Sequence, residues 1–271
     1  MIDEQRFSAY STRYKDMSQE IEWLLEEKYK GEESDAFFAD VKRMALGEPV
    51  GYLIGHVPFL DTTIYLDSKP LIPRPETEYW TEKVISDIKT NYPVQHPEQA
   101  VGSDQLRILD LCAGSGCIGV AIAKDIPDAI VDFSEIDETH LPTITKNLEE
   151  NGIDQSRTHL YHSNLFEAFS GTYQYIVSNP PYIDTTLNRV DESVIKNEPY
   201  VALFAGEGGL DVITHIIEEA PKHLERYGQL WLEHEPEQSE AIRNLAREHK
   251  FICTTHKDQF EVERYSVLVL Q

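Results

Sequence analysis

A rigid tetrapeptide, Asn179-Pro180-Pro181-Tyr182, contains the residues of this chain that are best suited to chemistry. Two consecutive prolines cannot continue a sheet ladder, and they stiffen the loop after the strand-like run at residues 175–178. The Asn179 side-chain carbonyl and a proline main-chain carbonyl can each accept one hydrogen from an NH₂ group, while Tyr182 can stack on a planar group. The alternative is an ordinary turn, since Asn-Pro often starts one. We therefore expect a site that holds a planar NH₂ group and presents its nitrogen to a reagent.

A glycine-bearing turn at residues 109–119 predicts where that reagent binds. Gly114 and Gly116 remove side chains where a ligand must approach the backbone, and the start of the next helix presents free N–H groups to an anionic group. Alone, the turn is weak support, because helix packing can also demand glycine. Cys112 stands where a dinucleotide-binding turn has another glycine. A cofactor with one carboxylate and one ribose, such as S-adenosylmethionine, therefore fits at least as well as NAD.

Glu135 strengthens this prediction because it ends the strand-like run at residues 130–135, where an acidic side chain can accept both hydroxyls of a ribose. Asp132 and Asp137 are alternatives for that role. Asp132 falls inside the strand pattern, and Asp137 stands where the helix predicted at residues 138–151 needs an N-cap. Together with the tetrapeptide, this pattern indicates methyl transfer from S-adenosylmethionine to an amide or amine nitrogen.

The composition limits the partners of such a site. The chain has 271 residues, 41% of them apolar, and its 24 Lys and Arg against 48 Asp and Glu give a formal net charge of −24. Because steering toward phosphate backbones is unfavourable at this charge, we expect no nucleic-acid partner. The cysteines lack metal-ligand spacing, which favours neither a disulfide framework nor a metal site. They are Cys112, Cys117 and Cys253.

The same sequence predicts a reducing, aqueous compartment. It has no signal-like or transit-like N-terminus and no apolar run of about 18 residues that could span a bilayer. We expect a monomer without a membrane partner in the cytoplasm, or in an organelle of a eukaryotic cell.

The order of patterns predicts an α/β fold preceded by a small helical unit. Apolar residues recur at helical spacing up to Ala45, and residues 57–66 alternate as a β-hairpin does. A helix is expected at residues 77–88 and a surface loop at residues 90–104. Strand-like runs then alternate with helical segments except before the last run, which predicts a mostly parallel sheet with a C-terminal antiparallel hairpin. The runs are residues 106–111, 130–135, 159–162, 175–178, 229–233, 251–255 and 265–270.

With these motifs the chain closely resembles the HemK/PrmC family, the class I methyltransferases that modify the glutamine of the Gly-Gly-Gln motif in peptide-chain release factors. Asn-Pro-Pro-Tyr alone is shared with enzymes that methylate adenine in DNA, but its combination with residues 71–78 is much more specific. The resemblance implies a Rossmann-like fold with a seven-stranded sheet. It divides the chain into an N-terminal helical substrate-binding domain at residues 1–56, a β-hairpin linker at 57–76 and an S-adenosylmethionine-dependent domain at 77–271.

The resemblance also implies how the cofactor is held. The turn holds the methionine part of S-adenosylmethionine, Glu135 binds its ribose, and Asn164 and Leu165 flank its adenine. The turn residues are Cys112, Ala113, Gly114, Ser115 and Gly116. The chain departs from common family members at Cys112, where they have glycine, at Glu135, where aspartate is more usual, and at Leu165, where an aromatic can occur.

For the substrate, the resemblance implies that Asn179, Pro180, Pro181 and Tyr182 form the catalytic loop that grips the glutamine amide. Asn179 is also expected to border the cofactor, and Arg74 is expected to touch the bound ligand. The N-terminal helical unit is expected to grip the release factor.

Two rival functions fit part of the pattern. An adenine N6-methyltransferase needs a basic groove, which the charge of −24 argues against. A non-catalytic adapter predicts a degraded cofactor turn, yet Gly114, Gly116 and Glu135 are intact. Four other conspicuous residues are expected to be structural: His234, Glu233, Tyr79 and Trp80.

Overall fold

The computed structural model describes residues 17–95, 105–186 and 192–271. Its N-terminal part is a helical unit of α1 (Ser18–Tyr29), α2 (Asp35–Ala45) and α3 (Val50–Ile54). Helix α2 begins where the Ser34 side chain accepts a hydrogen bond from the Phe37 backbone N–H. Helices are therefore present where the sequence predicts them, while residues 1–16 lie outside the described residues.

An antiparallel hairpin follows, formed by β1 (His56–Phe59) and β2 (Thr62–Tyr65). Val57 pairs with Ile64, and both side chains are buried. Alternating burial along each strand confirms the hairpin that the apolar pattern predicts.

The larger part of the protein is built on a seven-stranded sheet with the order β5-β4-β3-β6-β7-β9-β8. Its strands are β3 (Arg107–Leu111), β4 (Ile130–Glu135), β5 (Thr158–His162), β6 (Tyr173–Ser178), β7 (Leu224–Glu233), β8 (Phe251–Lys257) and β9 (Glu263–Leu270). The first five strands in the sheet order are parallel, and β9 runs antiparallel to β7 and β8. The predicted fold is confirmed. Strand order reverses between β3 and β6, where open α/β sheets place ligands beyond the carboxyl ends.

In the described part of the chain six α-helices follow the hairpin, and those with residues in the two cores cover both faces of this sheet. The six helices are α4 (Pro75–Gln95), α5 (Cys117–Asp125), α6 (Leu141–Glu150), α7 (Glu192–Asn197), α8 (Asp211–Glu219) and α9 (Ser239–Glu248). Ile108 packs into the core with Trp80 and Ile122, whereas its neighbour Leu109 packs with Ile213 in the other core. Each described helix is too short or too polar to cross a membrane.

One sequence prediction, the extent of α4, is wrong. The helix runs from Pro75 to Gln95, so residues 90–95 are helical rather than part of a loop. The apolar spacing continues from Ile88 to Tyr92, which packs against the core, and this burial extends the helix. Residues 96–104 of the expected loop lie outside the described residues.

Candidate active site

Two cavities adjoin at the carboxyl edge of the sheet. The first cavity is bordered by Glu135 and by the turn after β3, and the second cavity is bordered by Tyr182. Asn179, Leu71 and Ala202 border both. Asn179 follows β6 directly, so its side chain stands where a group in one cavity meets a group in the other.

Most of the residues that were predicted to bind the cofactor border the first cavity. They are Cys112, Ala113, Gly114, Ser115, Glu135, Asn164, Leu165 and Asn179. Gly116 does not border it and instead is the N-cap of α5, with φ +77°. Pro181 borders the first cavity, whereas Pro180 and Tyr182 border the second. The predicted tetrapeptide therefore contributes to both cavities.

The backbone of the turn after β3 is left-handed at position 112, where the family resemblance implies a glycine. Cys112 has φ +62°, a left-handed conformation that costs roughly 1–2 kcal/mol for a residue with a Cβ atom. Gly114 has φ +56° and adopts such a conformation freely. A Cβ atom at Gly116 would lie 3.0 Å from Ile144 of α6, so glycine also permits close packing there.

Glu135 joins the turn to the end of β4. Its carboxylate accepts hydrogen bonds from the backbone N–H of Gly114 at 2.7 Å and of Asp137 at 2.9 Å. An ionised carboxylate has about four acceptor positions, so two such bonds leave capacity for ligand hydroxyls. Asp132 is occupied elsewhere by Arg107, and Asp137 caps the helical turn that follows it, as predicted. Glu135 is thus the acid that faces the first cavity.

Asp110, in β3, contacts the start of α5 after the turn. It is fully buried, and its Oδ2 accepts a hydrogen bond from the Gly119 backbone N–H at 2.8 Å. Burial, together with the nearby charge of Glu135, raises the pKa of Asp110 to about 8 although the Gly119 hydrogen bond opposes the change. This shift reduces the negative charge that Asp110 contributes beneath the turn near neutral pH.

Glu233, at the end of β7, anchors the tetrapeptide from behind. Its Oε2 accepts hydrogen bonds from Thr77 at 2.7 Å and Trp80 at 2.6 Å, and its Oε1 accepts one from the Tyr182 hydroxyl at 2.9 Å. Burial raises the pKa of Glu233, while these three donors act in the opposite direction. The predicted structural role of Glu233 is consistent with this position, and Trp80 is a core residue, as expected.

Gln238 holds the main chain of the same loop. Its Nε2 donates to the Tyr182 carbonyl at 2.8 Å and also lies within hydrogen-bond distance of the Gly208 and Gly209 carbonyls. A Cβ atom at Gly209 would collide with the Tyr182 carbonyl. Glycine there lets residues 206–210 lie directly against the tetrapeptide, which further restricts its motion.

Arg74 borders the second cavity, where substrate contact was predicted. Its Nη2 forms an ion pair with Glu198 Oε1 at 2.7 Å, and the Glu198 side chain is 1% exposed. Glu198 Oε2 also accepts the Ile72 backbone N–H at 3.1 Å. This pairing holds the segment before α4 against the segment after α7 and fixes one wall of the cavity.

Several further residues border the first cavity but were not predicted, among them Thr77, Ile136, His140 and Val201. Ile136 is 49% exposed, which is unusual for a large apolar residue next to a buried acid. His140 is buried and its Nδ1 lies 2.8 Å from the Ser68 hydroxyl. Val201 is half exposed at the rim. Ile136 had a sequence signal, since it follows Glu135 directly, whereas His140 and Val201 reach the cavity only through tertiary folding.

Comparison with known proteins identifies the family. A family model described as "Methyltransferase small domain" matches residues 86–198. The release factor glutamine methyltransferase of Streptococcus pneumoniae is 33% identical over 255 residues, which cover 91% of this chain and 84% of that protein. The chain belongs to the release factor glutamine methyltransferase family. This membership confirms the resemblance to the HemK/PrmC family.

Other members and the fold agree with this membership. The release factor glutamine methyltransferase of Lactococcus lactis is 32% identical over 251 residues, covering 90% of this chain and 86% of that protein. The crystal structure of a methyltransferase from Pyrococcus furiosus matches with a TM-score of 0.53 and 16% identity, covering 85% of this chain and 97% of that one. The chain is therefore a class I methyltransferase in both sequence and fold.

Proposed function

We propose that this protein transfers a methyl group from S-adenosylmethionine to the side-chain amide nitrogen of the glutamine in the Gly-Gly-Gln motif of a release factor. The observation that carries the proposal is the position of Asn179, which borders both cavities. One cavity offers a carboxylate and a glycine turn for a cofactor. The other offers rigid acceptors for an amide.

The residues of the first cavity fit S-adenosylmethionine. Buried Glu135 has acceptor capacity for ribose hydroxyls, and Ile136 offers an exposed apolar side chain on which a flat base can lie. We assign the methionine part to residues 112–116 and the adenine to the side of Asn164 and Leu165, which also border this cavity. When bound, S-adenosylmethionine supplies a sulfonium methyl group that is already activated for transfer.

The residues of the second cavity fit a glutamine side chain. The Asn179 side-chain carbonyl and the Pro180 main-chain carbonyl would accept the two amide hydrogens, and Tyr182 would cover the planar group. An amide nitrogen is a weak nucleophile because its lone pair is delocalised. When Asn179 and Pro180 accept the amide hydrogens, the electron density on the nitrogen increases as the new bond forms. Holding the nitrogen and the methyl group in line can lower the activation barrier by roughly 7–11 kcal/mol.

As the C–N bond forms, the bond between sulfur and the methyl group would break and leave S-adenosylhomocysteine. The methylated amide nitrogen, which is then strongly acidic, would release one proton to water, so in this scheme no strong general base is required.

A groove beside the second cavity suggests how the protein substrate is held. It is bordered by Trp23 and Met44 of the helical unit and by Arg74, which also borders the second cavity. We propose that residues 1–56 form a substrate-binding domain, residues 57–76 a hairpin linker, and residues 77–271 the methyltransferase domain. A release factor would then contact the first and the last of these while its glutamine enters the second cavity.

Mass spectrometry of candidate release factors tests the proposal. After incubation with enzyme and S-adenosylmethionine, the glutamine of the Gly-Gly-Gln motif should gain one methyl group, and a release factor with that glutamine replaced by alanine should gain none. Modification of DNA adenine alone would assign the chain to the rival adenine methyltransferases. Binding of labelled S-adenosylmethionine without transfer to either substrate would favour the adapter function.

A further inference from the structure

We infer that Thr77 sets the rotation of the Asn179 amide and thereby decides which end of that amide meets the substrate. The inference rests on the proposed function. Thr77 lies in the first turn of α4 and is 1% exposed. Its hydroxyl is 2.7 Å from Glu233 Oε2 and 3.1 Å from Asn179 Nδ2. Thr77 therefore bridges a buried carboxylate and the side chain that borders both cavities.

The available hydrogens fix the donor and the acceptor in the Thr77–Glu233 and Thr77–Asn179 hydrogen bonds. The Trp80 indole can only donate, and it does so to Glu233 Oε2 at 2.6 Å. The hydroxyls of Thr77 and Tyr182 are the other donors to the same carboxyl group, and Oε2, which already accepts from Trp80, accepts from Thr77 rather than donating to it. A hydroxyl has a single hydrogen, and Thr77 gives it to Glu233. Toward Asn179, Thr77 can then only accept.

An accepting hydroxyl selects one orientation of the Asn179 amide. Its NH₂ end turns toward Thr77, and its carbonyl oxygen Oδ1 turns away from Thr77. This is the end that can accept a hydrogen from a substrate amide. In the opposite orientation Oδ1 would face the lone pairs of Thr77, and NH₂ would face the NH₂ of the substrate. Thr77 is thus a positioning residue that excludes the unproductive rotamer.

Three variants separate this role from a general effect on packing. Thr77→Val keeps the shape but removes the hydroxyl, and Thr77→Ser keeps the hydroxyl. Thr81→Val is the matched control, because Thr81 is buried one turn later on α4 and its hydroxyl donates to the Thr77 carbonyl. Each is assayed for kcat and KM with a release factor, and the side-chain amide protons of Asn179 are followed by NMR hydrogen exchange.

We expect Thr77→Val to lower kcat roughly tenfold, the effect of losing about one hydrogen bond, with KM for S-adenosylmethionine nearly unchanged. Thr77→Ser and Thr81→Val should stay near wild type. The Asn179 side-chain protons should exchange faster only in Thr77→Val. Unchanged exchange in Thr77→Val would overturn the inference, as would equal loss of kcat in Thr81→Val. A wild-type protein that does not methylate release factors would instead refute the proposed function, and the exchange measurement would still test Thr77.

Discussion

The Tyr182 hydroxyl and the Glu233 carboxylate are joined by a hydrogen bond of 2.9 Å that ties the loop at residues 179–182 to the end of β7. Burial and the adjacent carboxylate raise the pKa of Tyr182 well above its ordinary value, so the phenol remains a donor at physiological pH. Tyr182→Phe keeps the ring but removes this donor from a buried carboxylate. We expect a loss of about 2 kcal/mol in the free energy of unfolding, measured by urea denaturation, with part of the activity retained. Tyr200→Phe, at a 64% exposed position, is the control and should change neither.

The left-handed conformation of Cys112 predicts a stabilising substitution. Glycine relieves the strain at φ +62°, although it also increases the entropy of the unfolded chain. Cys112→Gly should therefore raise the free energy of unfolding by up to about 1 kcal/mol. Gly114→Ala, at φ +56°, should lower it by a similar amount. A Cys112→Gly variant that is clearly less stable than wild type would show that the thiol contributes more to packing than the strain costs.

Substitutions at Glu135 and Asp137 should affect cofactor affinity differently. Glu135→Gln removes the charge that faces the first cavity and should weaken binding of S-adenosylmethionine roughly tenfold, since hydrogen bonds to a charged group are worth about 1.5–3 kcal/mol. Asp137→Asn should leave affinity within about twofold, because asparagine also caps helices well. Isothermal titration calorimetry measures both. A larger effect at Asp137 would transfer the ribose-binding role to that residue.

Buried His234 makes stability depend on pH. Its Nδ1 lies 2.8 Å from the Glu235 carbonyl and its Nε2 lies 2.9 Å from the Ser266 hydroxyl, an arrangement that fits a neutral ring. Burial lowers the pKa of His234 from 6.5 to about 4. The unfolded chain therefore binds more protons as pH falls from about 6.5 toward 4, and stability is lost in that window.

Between pH 7 and pH 5 this histidine should cost the protein about 2 kcal/mol of unfolding free energy. The His234→Gln variant has no ionisable group there and should show a shallower dependence in urea denaturation at the two pH values. Equal slopes for variant and wild type would mean that other groups cause the acid sensitivity.

Local patterns in the sequence were sufficient to predict the fold. All seven strands were predicted because β-branched and apolar runs alternate with helical segments, and the last connection is too short for a crossover helix. The end of α4 was missed because a proline-containing and polar segment follows Ile88, whereas the packing of Tyr92 against Tyr175 depends on tertiary structure.

Most of the residues that the sequence predicted for the site border the two cavities, but the sequence predicted only some of the residues that support them. Glu135 lies at the end of β4 and the tetrapeptide lies directly after β6, as the predicted strands required. Thr77 was not predicted, because it meets Asn179 only after α4 folds across the sheet and no local pattern records that contact. The conformation of Cys112 was equally invisible, since its positive φ appears only in the folded turn.

Asn179 is the residue on which the proposed chemistry depends most. In Asn179→Ala the acceptor that borders both cavities is lost, while Glu135 and the glycine turn remain. The most direct measurement compares wild type and Asn179→Ala by mass spectrometry of a release factor and by binding of labelled S-adenosylmethionine. We predict methylation of the Gly-Gly-Gln glutamine by wild type, none by the variant, and similar cofactor affinity for both. Near-normal methylation by Asn179→Ala would contradict the account.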